Sequence, residues 1–336
     1  MGPCRIICGY AGRVSEPFEA DPILIEVERG GLVESVHRAR VVVTDTEGEV
    51  AGAIGAVDAP MYPRSSSKPM QAIGMLRAGL DLSGELLALA AASHSGESFH
   101  LAGVRTILDG AGLDESALQT PPDYPVDDLA RDEWTAAGHA KAPITMNCSG
   151  KHAAMLRTCV RGGWPTETYR NPDHPLQVAL RGAIGDLTGT LTTHPTTDGC
   201  GAPLFAVPLT GLARAFGRIA AATDGPEHAV AQAYREHPEY VSGTRREEVD
   251  FHRAVPGSLC KVGAEGVYAL GLPDGRGIAI KVDDGPHRGR APLLAAVLQH
   301  LGFGGDDLAA LLTEPVLGHG EPVGSVRVKE GSLAAL

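Results

Sequence analysis

The most constraining feature of this sequence is the position of its strand-like segments, which lie near both ends of the chain. Apolar and polar residues alternate over residues 22–55, and the "TDTEGE" break predicts a hairpin of strands near 33–44 and 50–55. Strand character returns late, in "SLCKVGAEGVYALGL", "RGIAIKVDDG" and "VGSVRVK". Helical patterns fill the middle. We therefore predict an α+β fold in which an antiparallel sheet, built from both termini, packs against a helical lobe.

The helical patterns are continuous enough to place individually. They cover 70–79, 83–92, 98–110, 151–161, 174–188, 208–222, 226–237 and, between the last two strands, 291–302. No internal repeat or low-complexity tract interrupts them, and the Pro/Gly-rich joints near 121–125 and 162–175 are typical of crossings between lobes. We predict an N-terminal extension over residues 1–20 and a single domain of two lobes over residues 21–336.

Composition and charge disfavour several classes of function. The formal net charge is −12 and no basic run occurs, whereas a nucleic-acid binder clusters Lys and Arg against phosphates. No stretch approaches the roughly 20 apolar residues of a membrane span. The first residues also lack the basic start and apolar centre of a secretory signal. We therefore expect a cytoplasmic protein that acts on a small polar molecule, without nucleic acid or membrane as partner.

The segment "RSSSKPMQA" predicts the start of a helix. Pro69 fits a helix only in its first turn, and serine is a preferred N-cap, so the three serines can be explained as caps. A second interpretation uses the same geometry. Ser65 and Lys68 are three residues apart and share one face of a helical turn. There a neutral lysine amine could take the proton of the serine hydroxyl and make it a nucleophile.

Two later segments favour the catalytic interpretation. "AASHSGE" places Ser93 directly after an apolar helix, and "LCKVGAEGVYALG" places Lys261 on a strand. The order SxxK, Ser-x-polar, Lys-x-Gly is typical of the penicillin-recognising serine acyl-transfer enzymes. The sequence departs from that pattern, because His94-Ser95 replace Asp-Asn and Val262 replaces Thr or Ser. A second helix cap and a solvated strand lysine are the structural alternatives.

The cysteines are few and widely spread, which favours thiols or metal ligands over a disulfide framework. They are Cys4, Cys8, Cys148, Cys159, Cys200 and Cys260. In "MNCSGKHAAML" and "TTDGCGAP", two thiolates, from Cys148 and Cys200, together with one nitrogen donor could hold zinc and leave a fourth position to water. His152 is the donor that general principles favour, since a lysine amine must first become neutral. The alternative is that both cysteines are small buried thiols.

Together these segments resemble the signature blocks of a known family, the asparaginase II family, which is the rhizobial-type or third structural class of L-asparaginases. The blocks are "RSSSKPMQA", "ASHSGE", "NCSGKH", "NPDHPLQ", "TDGCG", "KVGAEGVYALG" and "IAIKVDDG". They occur in the family's order from about residue 22 to about residue 328. Several blocks in one order are far more specific than a single motif.

The resemblance implies hydrolysis of the side-chain amide of L-asparagine to L-aspartate and ammonia by a homodimer. It also implies a fold related to the serine β-lactamases, penicillin-binding proteins and glutaminases. By matching position, it implies two serine–lysine pairs, Ser65 with Lys68 and Ser93 with Lys261. The implied zinc ligands are Cys148, Lys151 and Cys200, and the implied substrate-side residues are Arg64, His152 and Asp198. The zinc is expected to order the pocket rather than to act as a Lewis acid.

Two other functions stay open at this point. A related serine amidohydrolase, such as a glutaminase or a penicillin-recognising acyl-transferase, would keep the same serines and lysines. A non-catalytic zinc- or metabolite-binding protein on the same fold would bind asparagine without turnover, although it would have no need for two hydroxyl–amine pairs. Within the hydrolase hypothesis, either Ser65 or Ser93 could form the covalent intermediate, with Ser65 preferred.

Overall fold

A computed structural model describes residues 20–285 and 287–336. Its strands are β1 (Ile23–Arg29), β2 (Leu32–Thr44), β3 (Val50–Ile54), β4 (Pro60–Met61), β5 (Thr193–Thr197), β6 (Pro203–Pro208), β7 (Leu259–Gly263), β8 (Val267–Gly271), β9 (Gly277–Val282), β10 (Thr313–Gly318) and β11 (Glu321–Val328). Its helices are α1 (Lys68–Arg77), α2 (Gly84–Ala90), α3 (Ser98–Asp109), α4 (Asp128–Ala136), α5 (Ser149–Gly162), α6 (Pro175–Thr188), α7 (Leu209–Ala221), α8 (Gly225–Glu236), α9 (Pro238–Val241), α10 (Glu247–Ala254), α11 (Arg290–His300) and α12 (Asp306–Leu311). The predicted extension lies outside the described residues except for Ala20, and the single two-lobed domain stays a prediction.

The main sheet of the described residues has eight antiparallel strands in the order β10-β11-β1-β2-β9-β8-β7, with β3 paired to β2. The long strand β2 organises it. Residues 41–43 of β2 pair with β3 on one edge of the strand and with β9 on the other. The earlier residues of β2, 32–38, pair with β1, which precedes β3 along the same edge. The early strands β1 and β2 therefore lie between late strands, with β10 and β11 on one side and β7–β9 on the other. This arrangement confirms the predicted α+β architecture.

The two faces of the sheet carry side chains of different size. On β2, Val42 belongs to the core shared with α1 and α7, whereas Val41 and Val43 point to the core beneath α11, as expected for a strand with a period of two. On the α7 side, small residues let the helix come very close. A Cβ atom added to Gly277 of β9 would lie 1.9 Å from the carbonyl oxygen of Ala213. Glycine is therefore required at this contact.

All eight predicted helices exist, and their ends lie within two residues of the predicted ones. Sequence patterns did not predict α4, α9, α10 or α12, nor the strands β4–β6 and β10. The helix α10, "EEVDFHRA", is short and mostly polar, so it has little apolar periodicity. Strand β6, "PLFAVP", is bounded by prolines, which argue against a strand. Among the described residues no helix combines the length and apolar character that crossing a bilayer requires.

The close contact of α7 with the sheet predicts a large difference between two glycine substitutions. We expect Gly277→Ala to lower the free energy of unfolding by about 2–3 kcal/mol, because the new methyl group overlaps backbone that cannot move aside. Gly182, in the exposed face of α6, has no atom within 4 Å of an added Cβ. There, Gly182→Ala is expected to raise stability by about 0.5–1 kcal/mol. Urea unfolding measures both; equal stability of wild type and Gly277→Ala contradicts this account.

Candidate active site

The serine triplet forms a 3₁₀ turn, Arg64–Ser67, that runs directly into α1. The Ser66 hydroxyl donates to the carbonyl oxygen of Pro63 at 2.6 Å, and the Ser67 hydroxyl donates to that of Arg64 at 2.7 Å. Neither forms the predicted N-cap bond to a backbone N–H, because both hydroxyls are already engaged with carbonyls. Ser65 differs from them. It is half-buried, and its hydroxyl makes no hydrogen bond to a described residue.

Lys68, at the start of α1, is buried with an exposure of 1%. Its Nζ atom lies 2.5 Å from the carbonyl oxygen of Ala92, 2.8 Å from Ser93 Oγ and 3.0 Å from Cys148 Sγ. A neutral amine has two N–H donors and one lone pair, and a protonated amine has three donors. Three polar contacts satisfy either form. Lys68 can therefore give up or take a proton without leaving a buried polar atom unpaired.

The hydroxyl–amine contact in the structure joins different partners from those that the resemblance implies. Lys68 hydrogen-bonds Ser93, not Ser65, although Ser65 lies on the same turn. The backbone holds Ser93 in place, since its N–H donates to the carbonyl oxygen of Val241 at 3.0 Å. The lysine side chain is long enough to leave its own turn and reach the segment after α2. The spacing of three residues therefore placed Ser65 and Lys68 on one turn, but the hydrogen bond of Lys68 is to Ser93.

Lys261 lies on β7 and is also inaccessible to solvent, with an exposure of 0%. Its hydrogen-bond partner is Glu248 Oε1 at 2.9 Å, not Ser93. Glu248 belongs to α10, the polar helix that the sequence patterns missed, and a run of two glutamates before Val249 gave only a weak signal for it. Strand β7 lies directly against the start of the serine turn. A Cβ atom added to Gly263 would come within 2.4 Å of the carbonyl oxygen of Pro63, so only glycine fits there.

The charges around this pair shift the pKa of both groups. Burial lowers the pKa of Lys261, and the charge of Lys68 lowers it further, whereas Glu248 opposes these effects. Burial raises the pKa of Glu248, but the charges of Lys261 and Arg246 outweigh it and hold the pKa at about 2. Glu248 is therefore a carboxylate at neutral pH.

The two predicted thiols meet where α5 begins. All the cysteines in the described part of the chain are free and buried, as expected from their spacing. The neighbouring Cys148, together with the nearby Lys151, lowers the pKa of the Cys200 thiol. The Nζ atom of Lys151 lies 3.2 Å from Cys200 Sγ. The structure thus brings the three residues of the implied zinc set together.

The donor set fits a zinc ion on one condition. Two ligands of a tetrahedral zinc ion are roughly 3.5 Å apart when the bonds are about 2.0–2.3 Å long, which is close to the Lys151–Cys200 separation. In the described residues no group of three His, Cys, Asp or Glu side chains is placed to hold a metal. A zinc ion here would therefore need Lys151 as its third ligand. The residues fit the ion on that condition.

His152, the nitrogen donor that general principles favour, instead contacts Tyr169. Its Nδ1 atom lies 2.7 Å from the Tyr169 hydroxyl, which also accepts from the backbone N–H of Gln119 at 3.3 Å. The hydroxyl proton of Tyr169 is therefore available to Nδ1. The other ring nitrogen, Nε2, is buried without a hydrogen-bond partner among the described residues. This buried atom lies near the Cys200 thiol.

Arg64 and Asp198 meet beside the serine turn. Arg64 has a φ angle of 52°, a left-handed conformation that is rare for residues other than glycine and is often found at functional sites. Its Nε atom donates to Asp198 Oδ1 at 2.7 Å, and its Nη1 atom is 3.6 Å from Glu265 Oε1. A cavity of about 540 Å³ opens beside this group and is lined in part by Tyr62 and Thr197. A polar molecule can approach Arg64 from that side.

The histidine after Ser93 does not take part in these contacts. His94 Nε2 is 2.8 Å from Ser149 Oγ, and the ring stacks on His100 with centroids 5.2 Å apart. Burial lowers the pKa of His94 well below its ordinary value, and His100 and Lys68 add to this effect. His94 is therefore neutral and structural where the acyl-transfer pattern has Asp.

Comparison with known proteins adds a family and a set of similar structures. The family model of L-asparaginase II matches residues 25–328. No curated protein matches the sequence. Among solved structures, a β-lactamase from Mycobacterium bovis is 15% identical over 78% of this chain and 94% of its own, with a TM-score of 0.44. A Bacillus glutaminase is 14% identical over 79% of this chain and 91% of its own, with a TM-score of 0.38.

The family match defines the class of this protein. The similar structures are of the β-lactamase and glutaminase kind that was predicted, although at these scores they carry no argument about substrate or mechanism. The family match covers nearly all of the described chain and identifies the protein as an asparaginase-type amidohydrolase that acts on a small molecule. The chain belongs to the L-asparaginase II family, as its signature blocks indicated.

Buried neutral histidine next to the site predicts a loss of stability in acid. Burial lowers the pKa of His100 to about 4, whereas an unfolded histidine titrates near 6.5. Between these values the unfolded chain binds more protons, so this contribution is complete above pH 6.5 and is lost as the pH falls towards 4. We expect His100 to account for about 2 kcal/mol of the difference in unfolding free energy between pH 7 and pH 5.

Urea unfolding at the two pH values measures this effect. The variant His100→Gln should show a smaller difference between pH 7 and pH 5 than wild type, whatever its absolute stability. His300→Gln, at an exposed histidine, is the control and should keep the wild-type difference. An unchanged difference in His100→Gln contradicts the assignment.

Proposed function

We propose that this amidohydrolase converts L-asparagine to L-aspartate and ammonia through a serine acyl-enzyme. The observation that carries the proposal is the buried contact of 2.8 Å between Lys68 Nζ and Ser93 Oγ, next to the free hydroxyl of Ser65. A neutral amine in this position could accept a hydroxyl proton. Membership of the L-asparaginase II family supports asparagine as the substrate.

We infer that Ser65 attacks the amide carbon. Its neighbours Ser66 and Ser67 are engaged with backbone carbonyls, whereas the Ser65 hydroxyl is half-buried and free of described partners. Lys68 lies one turn away and is the proposed base, with Ser93 as the relay that contacts it. The new C–O bond forms as the Ser65 proton passes to Lys68.

The second half of the cycle requires a proton for the leaving group. When the C–N bond breaks, ammonia leaves only if its nitrogen receives a proton, and Lys261 is the proposed donor. Water then attacks the acyl-enzyme and gives a proton to the neutral Lys261, while the proton held by Lys68 returns to the Ser65 oxygen as the ester bond breaks and aspartate is released. Each proton taken in one half-reaction is returned in the other, so the cycle needs no other reactant.

Asp198 and Arg64 are proposed to bind the amino-acid end of the substrate. A carboxylate is the natural partner of the α-ammonium group, and the Arg64 Nε atom fixes the Asp198 carboxylate at 2.7 Å. His152, which lies near Cys200 and carries the unpaired Nε2 atom, is proposed as a third substrate-side group. Together these groups distinguish a free amino acid from an amide in a peptide, because a peptide has no charged α-ammonium group at that position.

Zinc is proposed as a pocket-ordering ion held by Cys148, Lys151 and Cys200. Its chemistry would be to draw two thiolates and a neutral amine into one fixed arrangement. That arrangement would link the start of α5 to the turn that carries Asp198. The serines and lysines account for the bond-breaking steps. The homodimer and the cytoplasmic location stay predictions from the sequence.

Ammonia release from L-asparagine tests the proposed function directly. We expect wild type to be active and Ser65→Ala to lose about 10³-fold or more in kcat/KM, because no other hydroxyl can form the acyl-enzyme. Ser67→Ala is the matched control from the same triplet and should retain activity within about tenfold, since it loses only a hydrogen bond to a carbonyl. Comparison with L-glutamine and a chromogenic β-lactam tests the related hydrolases.

Covalent trapping identifies the attacking serine. With a slowly released asparagine analogue, intact mass spectrometry should show one adduct per chain that disappears in Ser65→Ala and persists in Ser93→Ala. The reverse result assigns the attack to Ser93. Binding of asparagine without ammonia from any preparation would instead support a non-catalytic protein.

Metal analysis tests the zinc proposal separately from activity. We expect about one zinc per chain in the purified protein, and less than a tenth of that in Cys148→Ser, because a tetrahedral site loses a thiolate ligand. Cys159→Ser is the control, since Cys159 is also buried on α5 but is not part of the thiol pair. Metal-free wild type with full activity would show that the two cysteines are only a thiol pair.

A further inference from the structure

The ion pair of Lys261 and Glu248 is shielded from solvent and makes few hydrogen bonds to other described residues. Both side chains have an exposure of 0%, and the 2.9 Å bond is the one hydrogen bond that Lys261 Nζ makes to a described residue. The second carboxylate oxygen, Oε2, is buried without a hydrogen-bond partner among those residues, and Arg246 Nε lies 3.9 Å from it. Each charge therefore depends on the other for its hydrogen bond, and removal of Glu248 leaves the Lys261 amine without a hydrogen-bond partner among the described residues.

The groups that face this pair are mostly cationic. Lys68 and Arg246 act on Lys261, and Arg246 and Arg290 act on Glu248. The other titratable groups within reach of the pair are Glu247, His252, Cys260, Tyr234 and Tyr268. Without the Glu248 charge, Lys261 would be a buried cation among cations. Its neutral form would then be favoured.

The element that carries Glu248 is also tied to the segment that carries Ser93. Just before α10, Thr244 donates from its backbone N–H and its hydroxyl to the Glu97 carboxylate, at 2.9 Å and 2.7 Å. Ser95 Oγ donates to the same carboxylate at 2.7 Å. Gly243 has no side chain to separate these segments, because a Cβ atom there would lie 2.2 Å from Ser95 Oγ. The position of Glu248 is thus fixed relative to the proposed relay.

We propose that Glu248 is a positioning residue that holds Lys261 in place as a cation, so that Lys261 acts as the acid of the reaction. The inference rests on the proposed function, in which Lys261 protonates the leaving ammonia. Lys261 keeps N–H groups that no described residue accepts, and these are the protons available to the leaving group. Glu248 accepts one proton of the ammonium and itself touches no substrate.

The pH dependence of activity separates this role from a structural one. An acid must be protonated, so activity falls as Lys261 loses its proton on the alkaline side. We expect Glu248→Gln to move the alkaline limb of kcat/KM by about one pH unit or more to lower pH, because the anion that favours the charged amine is gone. The kcat value should fall about tenfold or more, with KM for L-asparagine within about threefold of wild type.

Two further variants keep the test decisive. Glu248→Asp retains the charge on a shorter side chain, so its alkaline limb should stay within about half a pH unit of wild type while kcat falls. If Glu248→Gln does not fold, Glu248→Asp alone tests whether the Glu248 charge sets the alkaline limb. Glu247→Gln removes the neighbouring carboxylate, which pairs with Arg290 at 2.7 Å and not with Lys261, and should leave the limb within about half a unit.

The results that would contradict the role of Glu248 differ from those that would contradict the proposed function. A wild-type alkaline limb in Glu248→Gln, a shifted limb in Glu248→Asp, or an equal shift in Glu247→Gln would show that Glu248 has no such role. The proposed function fails on different results, namely no ammonia from wild type or full activity of Lys261→Met. An active wild type with an inactive Lys261→Met and unaltered pH profiles of the Glu248 variants overturns the present inference alone.

Discussion

Three lysine side chains end in the interior of this protein, and a buried amine must find polar partners or lose its charge. Lys68, Lys151 and Lys261 all have exposures of 2% or less. Their direct partners are a carbonyl, a hydroxyl and a thiol for Lys68, a thiol for Lys151, and a carboxylate for Lys261. These partners come from four different parts of the chain. The need to satisfy three amines therefore draws the segments of the site together and fixes their side chains.

The fold meets this need by bringing two helix starts and one strand to the same place. Lys68 and Lys151 each lie in the first turn of a helix. Lys261 lies on β7, the strand at the edge of the sheet opposite to β10. Strand β7 can lie against the serine turn only because Gly263 has no side chain. The proposed chemistry, which uses several amines and two hydroxyls, thus depends on a close backbone contact that contains no functional group.

Much of this arrangement could be predicted from the sequence, and the reasons for the rest are physical. Strong apolar periodicity identified eight helices, and the segment order identified the sheet and suggested candidate residues for the site. Contacts were harder, because spacing describes one turn while a lysine side chain reaches across several elements. The Lys68–Ser93 bond and the Lys261–Glu248 pair are both of this kind. Glu248 was missed because α10 is short and polar, so nothing in its pattern predicts a buried face.

The pairing of the first and last strands has a consequence for how the molecule is made. Strand β1 lies between β2 and β11, so one of its edges stays open until the ribosome has synthesised residues from the far end of the described chain. Strand β2 likewise waits for β9. Contacts of such long sequence separation form slowly and leave apolar strands exposed meanwhile. The helices in the middle of the chain should therefore be synthesised while the sheet is still incomplete. Chaperones that shield strand edges would bind the nascent chain at that stage.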